Sequence, residues 1–305
     1  MEETLRKIGS AEMRSALGVL GEAMRVVHGR MYSEGVVQLM PIMISPITDP
    51  LNHSVFDASI DYCGTKLELT KSMILHKQLA LAGGLDAIYI VSPNVRLEKP
   101  EKGESGRHLL EFVQVDYEMK GRSMEQVMRF SEELLAEIVE AVRTRRGQEL
   151  GALGRELRAV ELPLKVFDSH ELEREYGADW ETAVSEASRM PVWVTNHERE
   201  FYDREDPARP FTYRNYDIIY PEGFGEGLSG AEREWEYGRI LERMERKGMD
   251  LGPYAAYLEV ARKGLLVPSA GAGIGVERLV RYCCGLKHIA DARPFAKVPG
   301  RPLVF

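Results

Sequence analysis

An apolar run ending in alternating glycines constrains this chain more than any other stretch. Leu265–Arg278 reads LLVPSAGAGIGVER, with Gly271, Gly273 and Gly275 at every second position before Val-Glu-Arg. The run predicts a strand, and the glycines let it turn tightly into a helix without side chains blocking a ligand. Glu277 and Arg278 then fall in the first helical turn, among unpaired N–H groups and at the positive end of the helix dipole. An arginine there is placed to grip a phosphate through two parallel hydrogen bonds. Alone, the pattern also describes an ordinary strand–helix turn. Other nucleotide motifs fit less well. The spacing is G-x-G-x-G rather than G-x-G-x-x-G, roughly thirty residues remain after it, and no Lys-Ser or Lys-Thr follows. A dinucleotide-binding domain and a P-loop are therefore excluded.

A second segment points the same way. Ala87–Leu97 (AIYIVSPNVRL) predicts a strand, broken by Pro93, that delivers Arg96 and Glu98. The polar loop EKPEKGESG leads into Arg107, His108 and a stretch through Glu111, Phe112, Asp116 and Glu118 whose alternation predicts a second strand. Two strands joined by a charged loop, with Arg and His at the rim, suit a triphosphate. Standing alone, they would equally suit a hairpin with a solvated loop.

Together these segments resemble the class II aminoacyl-tRNA synthetases of the aspartyl/asparaginyl branch. The second motif of that family runs from R-x-E through a loop into R-H-L-x-E-F, matched by Arg96, Glu98, Arg107, His108, Glu111 and Phe112. Its third motif, G-x-G-x-G-x-E-R-L-V, is matched from Gly271 to Val280 without a gap. The weaker first motif ends in a proline on an interface strand, which Val36–Pro41 supplies, so the resemblance runs from Val36 to the C-terminus. It implies an α+β fold with a class II synthetase-like antiparallel sheet flanked by helices, and a C2 homodimer. It also implies ATP binding by Arg96, Glu98, Arg107, His108, Phe112, Gly273, Gly275 and Arg278. Within that set Phe112 stacks on adenine, Arg107 and His108 meet the outer phosphates, and Arg96 and Arg278 are catalytic.

Two further stretches resemble the aspartyl enzymes. The segment Tyr216–Arg233 matches the one carrying the Mg²⁺ ligands, which implies Asp217, Glu226 and Ser229 on the metal and Arg233 on a substrate carboxylate. The separation of Asp217 and Glu226 is about two residues longer than the family pattern, and the plain alternative is a solvated acidic loop. Ser72–Gln78 (SMILHKQ) aligns with S-P-Q-L-Y-K-Q of aspartyl enzymes, whereas asparaginyl enzymes show S-x-Q-L-Y-L-E. Ser72 and Lys77 are thereby placed on the amino acid, and a lysine there favours a carboxylate over an amide. Ile74 departs from both patterns. On an amphipathic helix Lys77 would otherwise be a surface lysine with its charge in water.

What precedes the first motif bears on function. Those roughly 35 residues show apolar residues at helical spacing, predicting one or two amphipathic helices rather than an anticodon-binding barrel. Net charge is −8 at pH 7 and the pI about 5.6, unlike a protein that grips a phosphate backbone. Both argue against tRNA as a partner. The chain reads as one catalytic domain over 1–305, with a helical extension at 1–35 and a helical or loop insertion at about 147–210. Within the insertion, a loop at Asn196-His197-Glu198 is expected near the substrate pocket. Ser123–Arg146 predicts a helix capped by Ser123 and Gln126. Cys63, Cys283 and Cys284 have no metal spacing, and no apolar run has membrane-spanning length, so a cytoplasmic protein is expected.

The combination resembles the archaeal, synthetase-derived asparagine synthetases, which keep this core without the anticodon domain. That resemblance implies aspartate, ATP and ammonia as substrates, with asparagine, AMP and pyrophosphate as products of a β-aspartyl-adenylate. A turned-over aspartate would set its α-carboxylate against Lys77 and Arg233. Its amino group would need a new partner, for which Asp49 in PITDPLNH is the candidate, unless it is only a turn residue. A truncated synthetase that aminoacylates tRNA or another acceptor, and a non-catalytic amino-acid or ATP sensor, are the alternatives.

Overall fold

Alternating side chains build an eight-stranded sheet, seen in a computed structural model that describes residues 2–303. Across the sheet run Val37–Gln38, Ala87–Val95, Glu111–Lys120, Ser269–Gly275, Gly225–Glu232, Asn215–Tyr220, Val192–Thr195 and Val166–Asp168. The six inner strands pair antiparallel, and a short parallel strand closes each edge. The expected class II synthetase-like sheet is present.

One face of the sheet is apolar. Val115 and Tyr117 of Glu111–Lys120 join Ala270, Ala272 and Ile274 of Ser269–Gly275 in the main core. Three helices, Ala11–Ser33, Met124–Arg145 and Val276–Cys284, seal that face through Val19, Val27, Leu134, Ile138, Leu279 and Cys283. The helix Met124–Arg145 begins as its sequence directs, with Ser123 and Gln126 forming a reciprocal capping box. The two helices Glu2–Ile8 and Ala11–Ser33 occupy the expected N-terminal extension.

The opposite face carries polar residues, and it is roofed rather than solvated. Leu75, Phe201, Ile240 and Tyr257 form a second core there, drawn from the helices Ile74–Ala82, Tyr237–Arg246 and Ala255–Arg262 and the loop 196–203. Between this roof and the sheet lies the site.

Two local expectations change. Pro93 does not break its strand but pairs with Val113 inside it. The Tyr89 carbonyl meets Leu39 and the Val95 N–H meets Thr70, so that flank points away from the neighbouring long strand. Pro93 shares the flank by alternation, and its missing N–H costs no bond to that strand. The span at about 147–210 is also more than an inserted arm. Besides the helices Gly147–Ala152, Ser169–Tyr176 and Trp180–Ala187, it supplies Val166–Asp168 and Val192–Thr195, the outer strands of the main sheet. No helix among the described residues is long and apolar enough to cross a membrane.

Candidate active site

A cavity of about 540 Å³ opens between the polar sheet face and its roof. The residues expected to bind ATP line it together: Arg96, Glu98, Arg107, His108, Phe112, Gly273, Gly275 and Arg278. So do Asp49, Ser72, Lys77, Glu226, Ser229 and Arg233 from the expected amino-acid and metal set. Asp217 alone of that set stands behind the wall.

The glycines act by leaving space rather than by turning the chain. Gly275 has φ −70°, and neither Gly271 nor Gly273 has positive φ. Gly273 faces Asp116 across the ladder, and a Cβ on it would come within 2.7 Å of Gln114 Nε2 and 2.8 Å of Asp116 Oδ1. At Gly271 a Cβ would strike the Glu118 carboxylate. Alternate glycines on Ser269–Gly275 therefore admit the alternate polar side chains of Glu111–Lys120 and keep the cavity floor open.

Around the phosphate motifs the structure concentrates positive charge. Arg278 donates to the Glu226 carbonyl at 2.9 Å and to its carboxylate at 3.0 Å, while Arg107 pairs with Glu181. Arg281 lies close by, and burial with the neighbouring Arg107 and Arg278 lowers its guanidinium to about 10. Cations crowded this way favour an anion among them. Arg96 stacks over Phe112 at 5.1 Å from the ring centroid, a cation–π pair whose aromatic member lines the cavity. His108 accompanies them uncharged at neutral pH, since burial and Arg278 lower it to about 4. Glu277 braces the helix start by accepting from the Val113 N–H and from Arg293, each at 3.0 Å. Glu98 accepts from His53 at 3.0 Å, and its buried second oxygen has no partner.

Deeper in, acids and bases alternate. Lys77, 2% exposed, lies 3.1 Å from Asp116 and 3.5 Å from Glu118. Glu118 also accepts from Arg233 at 3.1 Å and from the Ser269 hydroxyl at 3.0 Å. Arg233 reaches Asp203 at 3.5 Å, Asp203 meets Arg199 at 3.1 Å, and Arg199 holds Asp217 at 2.7 Å. Burial opposes the charge on Arg233, but Glu118 and Asp203 overcome it and raise the guanidinium further. Lys77 is thus a buried charge in a ladder, not a surface lysine. Asp49 has one oxygen on the Leu51 N–H and the other on the Tyr202 hydroxyl, both at 3.0 Å.

The arrangement refines the magnesium expectation. Glu226 and Ser229 face the cavity, but Asp217 is committed to Arg199 and does not line it. Among the described residues no ready cluster of three or more His, Cys, Asp or Glu side chains surrounds one point. Burial raises the Glu226 carboxyl, with Asp217 and Glu181 adding to the effect against Arg278. Crowded carboxylates beside a hydroxyl are hard oxygen donors that suit Mg²⁺ when phosphate oxygens complete the shell.

Several cavity residues were absent from the expected set: Gln114, Asp116, Glu181, Arg199, Glu200 and Asp203. The first two carried a signal. In FVQVDYE, the polar members of the alternation belong to a strand between two others, so they cannot all face water. The loop expected near the pocket at Asn196-His197-Glu198 reaches it through the residues that follow, Arg199 and Glu200, while those three do not line the cavity. Nothing in its sequence distinguishes those charged residues from a solvated loop.

The family model for class II tRNA synthetases (D, K and N) matches residues 1–299. The asparagine–tRNA ligase of Symbiobacterium thermophilum is 31% identical over 258 residues, which cover 76% of this chain and 58% of that protein. That of Koribacter versatilis is 29% identical over 97% of this chain and 71% of its own length. Asparaginyl-tRNA synthetase from Pyrococcus horikoshii, solved with asparaginyl-adenylate, superposes with a TM-score of 0.87 at 26% identity, covering 97% of this chain and 71% of that one. The chain thus spans between about three fifths and seven tenths of the length of these relatives.

Proposed function

The chain belongs to the class II tRNA synthetase family of the D, K and N enzymes, and on that footing we propose that it ligates aspartate and ammonia. ATP and aspartate form a β-aspartyl-adenylate and pyrophosphate; ammonia then releases asparagine and AMP. The observation that carries this reading is the buried Lys77–Glu118–Arg233 group, whose two cations line the cavity. Lys77 and Arg233 give the α-carboxylate of an amino acid its partners; held by that end, the amino acid turns its side chain to the α-phosphate, where aspartate offers a carboxylate to activate and asparagine only an amide.

In this reading a carboxylate oxygen of aspartate attacks the α-phosphorus in line with the departing pyrophosphate. Arg96 and Arg278 offset the negative charge that develops, and Phe112 with Arg96 holds the adenine. Uncharged His108 offers a neutral donor to the outer phosphates beside Arg107. Mg²⁺, held by Glu226 and Ser229, would supply further charge neutralisation on the triphosphate. Aspartate's α-carboxylate lies toward Lys77 and Arg233, which leaves the β-carboxylate for activation.

The named relatives support a second reading, asparagine activation followed by transfer to tRNA. Amino-acid-dependent pyrophosphate exchange separates the two. We expect exchange with aspartate and little with asparagine, and no label on tRNA. Exchange driven by asparagine, or a charged tRNA, would establish the second reading. A twofold dimer is also part of the proposal, because Met40 is 85% exposed beside exposed Val37 on the first-motif segment, with exposed Met43 and Ile44 just after it. Sedimentation at two concentrations tests it, a monomer at both being the contrary result.

A further inference from the structure

One acid in the cavity is left out of the charge ladder. Glu200 lines the cavity with Asp49 and Asp203, yet among the described residues its carboxylate accepts no hydrogen bond and joins no ion pair. Its main chain is fixed: Arg243 donates to the Glu200 carbonyl at 2.5 Å, and Lys247 donates to the Arg199 carbonyl. The groups facing it are Asp49, Asp203, Arg199 and Lys247, with the hydroxyls of Tyr202 and Tyr254. Asp49 and Asp203 are spoken for by Tyr202, Arg199, Asn215 and Arg233. Burial, then Asp49 and Asp203, push the Glu200 carboxyl up to about 8.

A second observation points to a cationic ligand. Asp116, 3% exposed and lining the same cavity, also has an oxygen without a partner. The open oxygen of Glu98 lies apart, on the carboxylate that meets His53, which leaves Asp116 and Glu200 as the open acids beside Lys77 and Asp49, and they call for positively charged nitrogens. The proposed reaction has two, the α-ammonium of aspartate and the incoming ammonium. Asp116 stands beside Lys77, where the α-carboxylate of the substrate is placed, so it suits the α-ammonium. Glu200 remains for the other.

We propose that Glu200 binds ammonium and removes its proton, acting as the general base of amide formation; this rests on the reading of the chain as an aspartate–ammonia ligase. One ammonium proton passes to the Glu200 carboxylate, and the freed lone pair attacks the β-acyl carbon. The C–N bond forms as the C–O bond to AMP breaks, the electron pair leaving on the phosphate oxygen. The remaining surplus proton on nitrogen goes to water. A carboxyl raised toward the ammonium range is a better base for this step than an ordinary one.

The test splits the reaction. Aspartate-dependent pyrophosphate exchange and ammonium-dependent asparagine formation are measured for the intact protein and for Glu200→Gln between about pH 6 and 10. Glu200→Gln should lower asparagine formation at least about tenfold more than exchange. That deficit should be small near pH 6, where the Glu200 carboxyl is protonated, largest around pH 8–9, and shrink again toward pH 10, where free ammonia replaces ammonium. Equal losses in both assays, or a deficit independent of pH, would overturn the assignment. Should Glu200→Gln lack exchange, Glu200→Asp carries the test, and it must keep the pH response of the intact protein. Absence of any aspartate- and ammonium-dependent AMP from the intact protein would instead overturn the ligase reading itself.

Discussion

Arg278 and Asp116 show what a single residue discloses. Arg278 was legible because glycines and a helix start mark it, and the structure sets it on the cavity wall with Glu226 as its one carboxylate partner among the described residues. Its guanidinium is free to exchange Glu226 for a phosphate. Arg278→Ala should therefore lower aspartate-dependent pyrophosphate exchange by about a hundredfold or more, equivalent to about 3 kcal/mol of transition-state stabilisation. Circular dichroism should show the fold intact, and near-normal exchange would remove the phosphate role. Asp116 carried a signal in the alternation of its inner strand, whereas Glu200 stayed hidden because an acid in a loop looks the same whether it meets water or a closed cavity. Enclosure, not residue type, turns them into functional groups, and enclosure comes from helices distant in sequence.

Strand alternation tells a similar story at the level of the element. The two strands carrying the motifs, Ala87–Val95 and Ser269–Gly275, lie where the sequence places them, and the helix after the glycines begins at Val276. The reason for the glycines was not legible. Periodicity gives which residues share a face, but not what stands opposite, and it is Gln114, Asp116 and Glu118 on the next strand that require the gaps. Gly273→Ala tests this account. Its added methyl must displace Gln114 or Asp116, at a cost of about 1–3 kcal/mol. Activity should fall through a raised KM for the amino acid, with a smaller change in KM for ATP. Unchanged kinetics would mean that turn geometry, not space, is what the glycine provides.

Seen whole, the molecule places an apolar core on one face of its sheet and a charge ladder on the other. The ladder is held by mutual compensation. Glu118, fully buried, answers both Lys77 and Arg233, so Glu118→Gln leaves two buried cations short of an anion. Loss of a buried partner of this kind costs about 3–5 kcal/mol, which urea unfolding should report as a lower midpoint. A midpoint unchanged within error would show the ladder to be electrostatically slack. The fold class was legible from two motifs in order, and the apolar run Met190–Thr195 reads as a strand, found at Val192–Thr195; the edge strand Val166–Asp168 was not legible, being short and lying where a helix is expected from Phe167.

The account turns on which nitrogen ends up where. The decisive measurement is to incubate the protein with ATP, Mg²⁺, aspartate and isotopically labelled ammonium, without tRNA, and to follow AMP and labelled asparagine together. Asparagine labelled at its amide nitrogen, formed in equal amount to AMP, is the predicted result. AMP without labelled asparagine, or turnover that needs asparagine and tRNA instead, would contradict it.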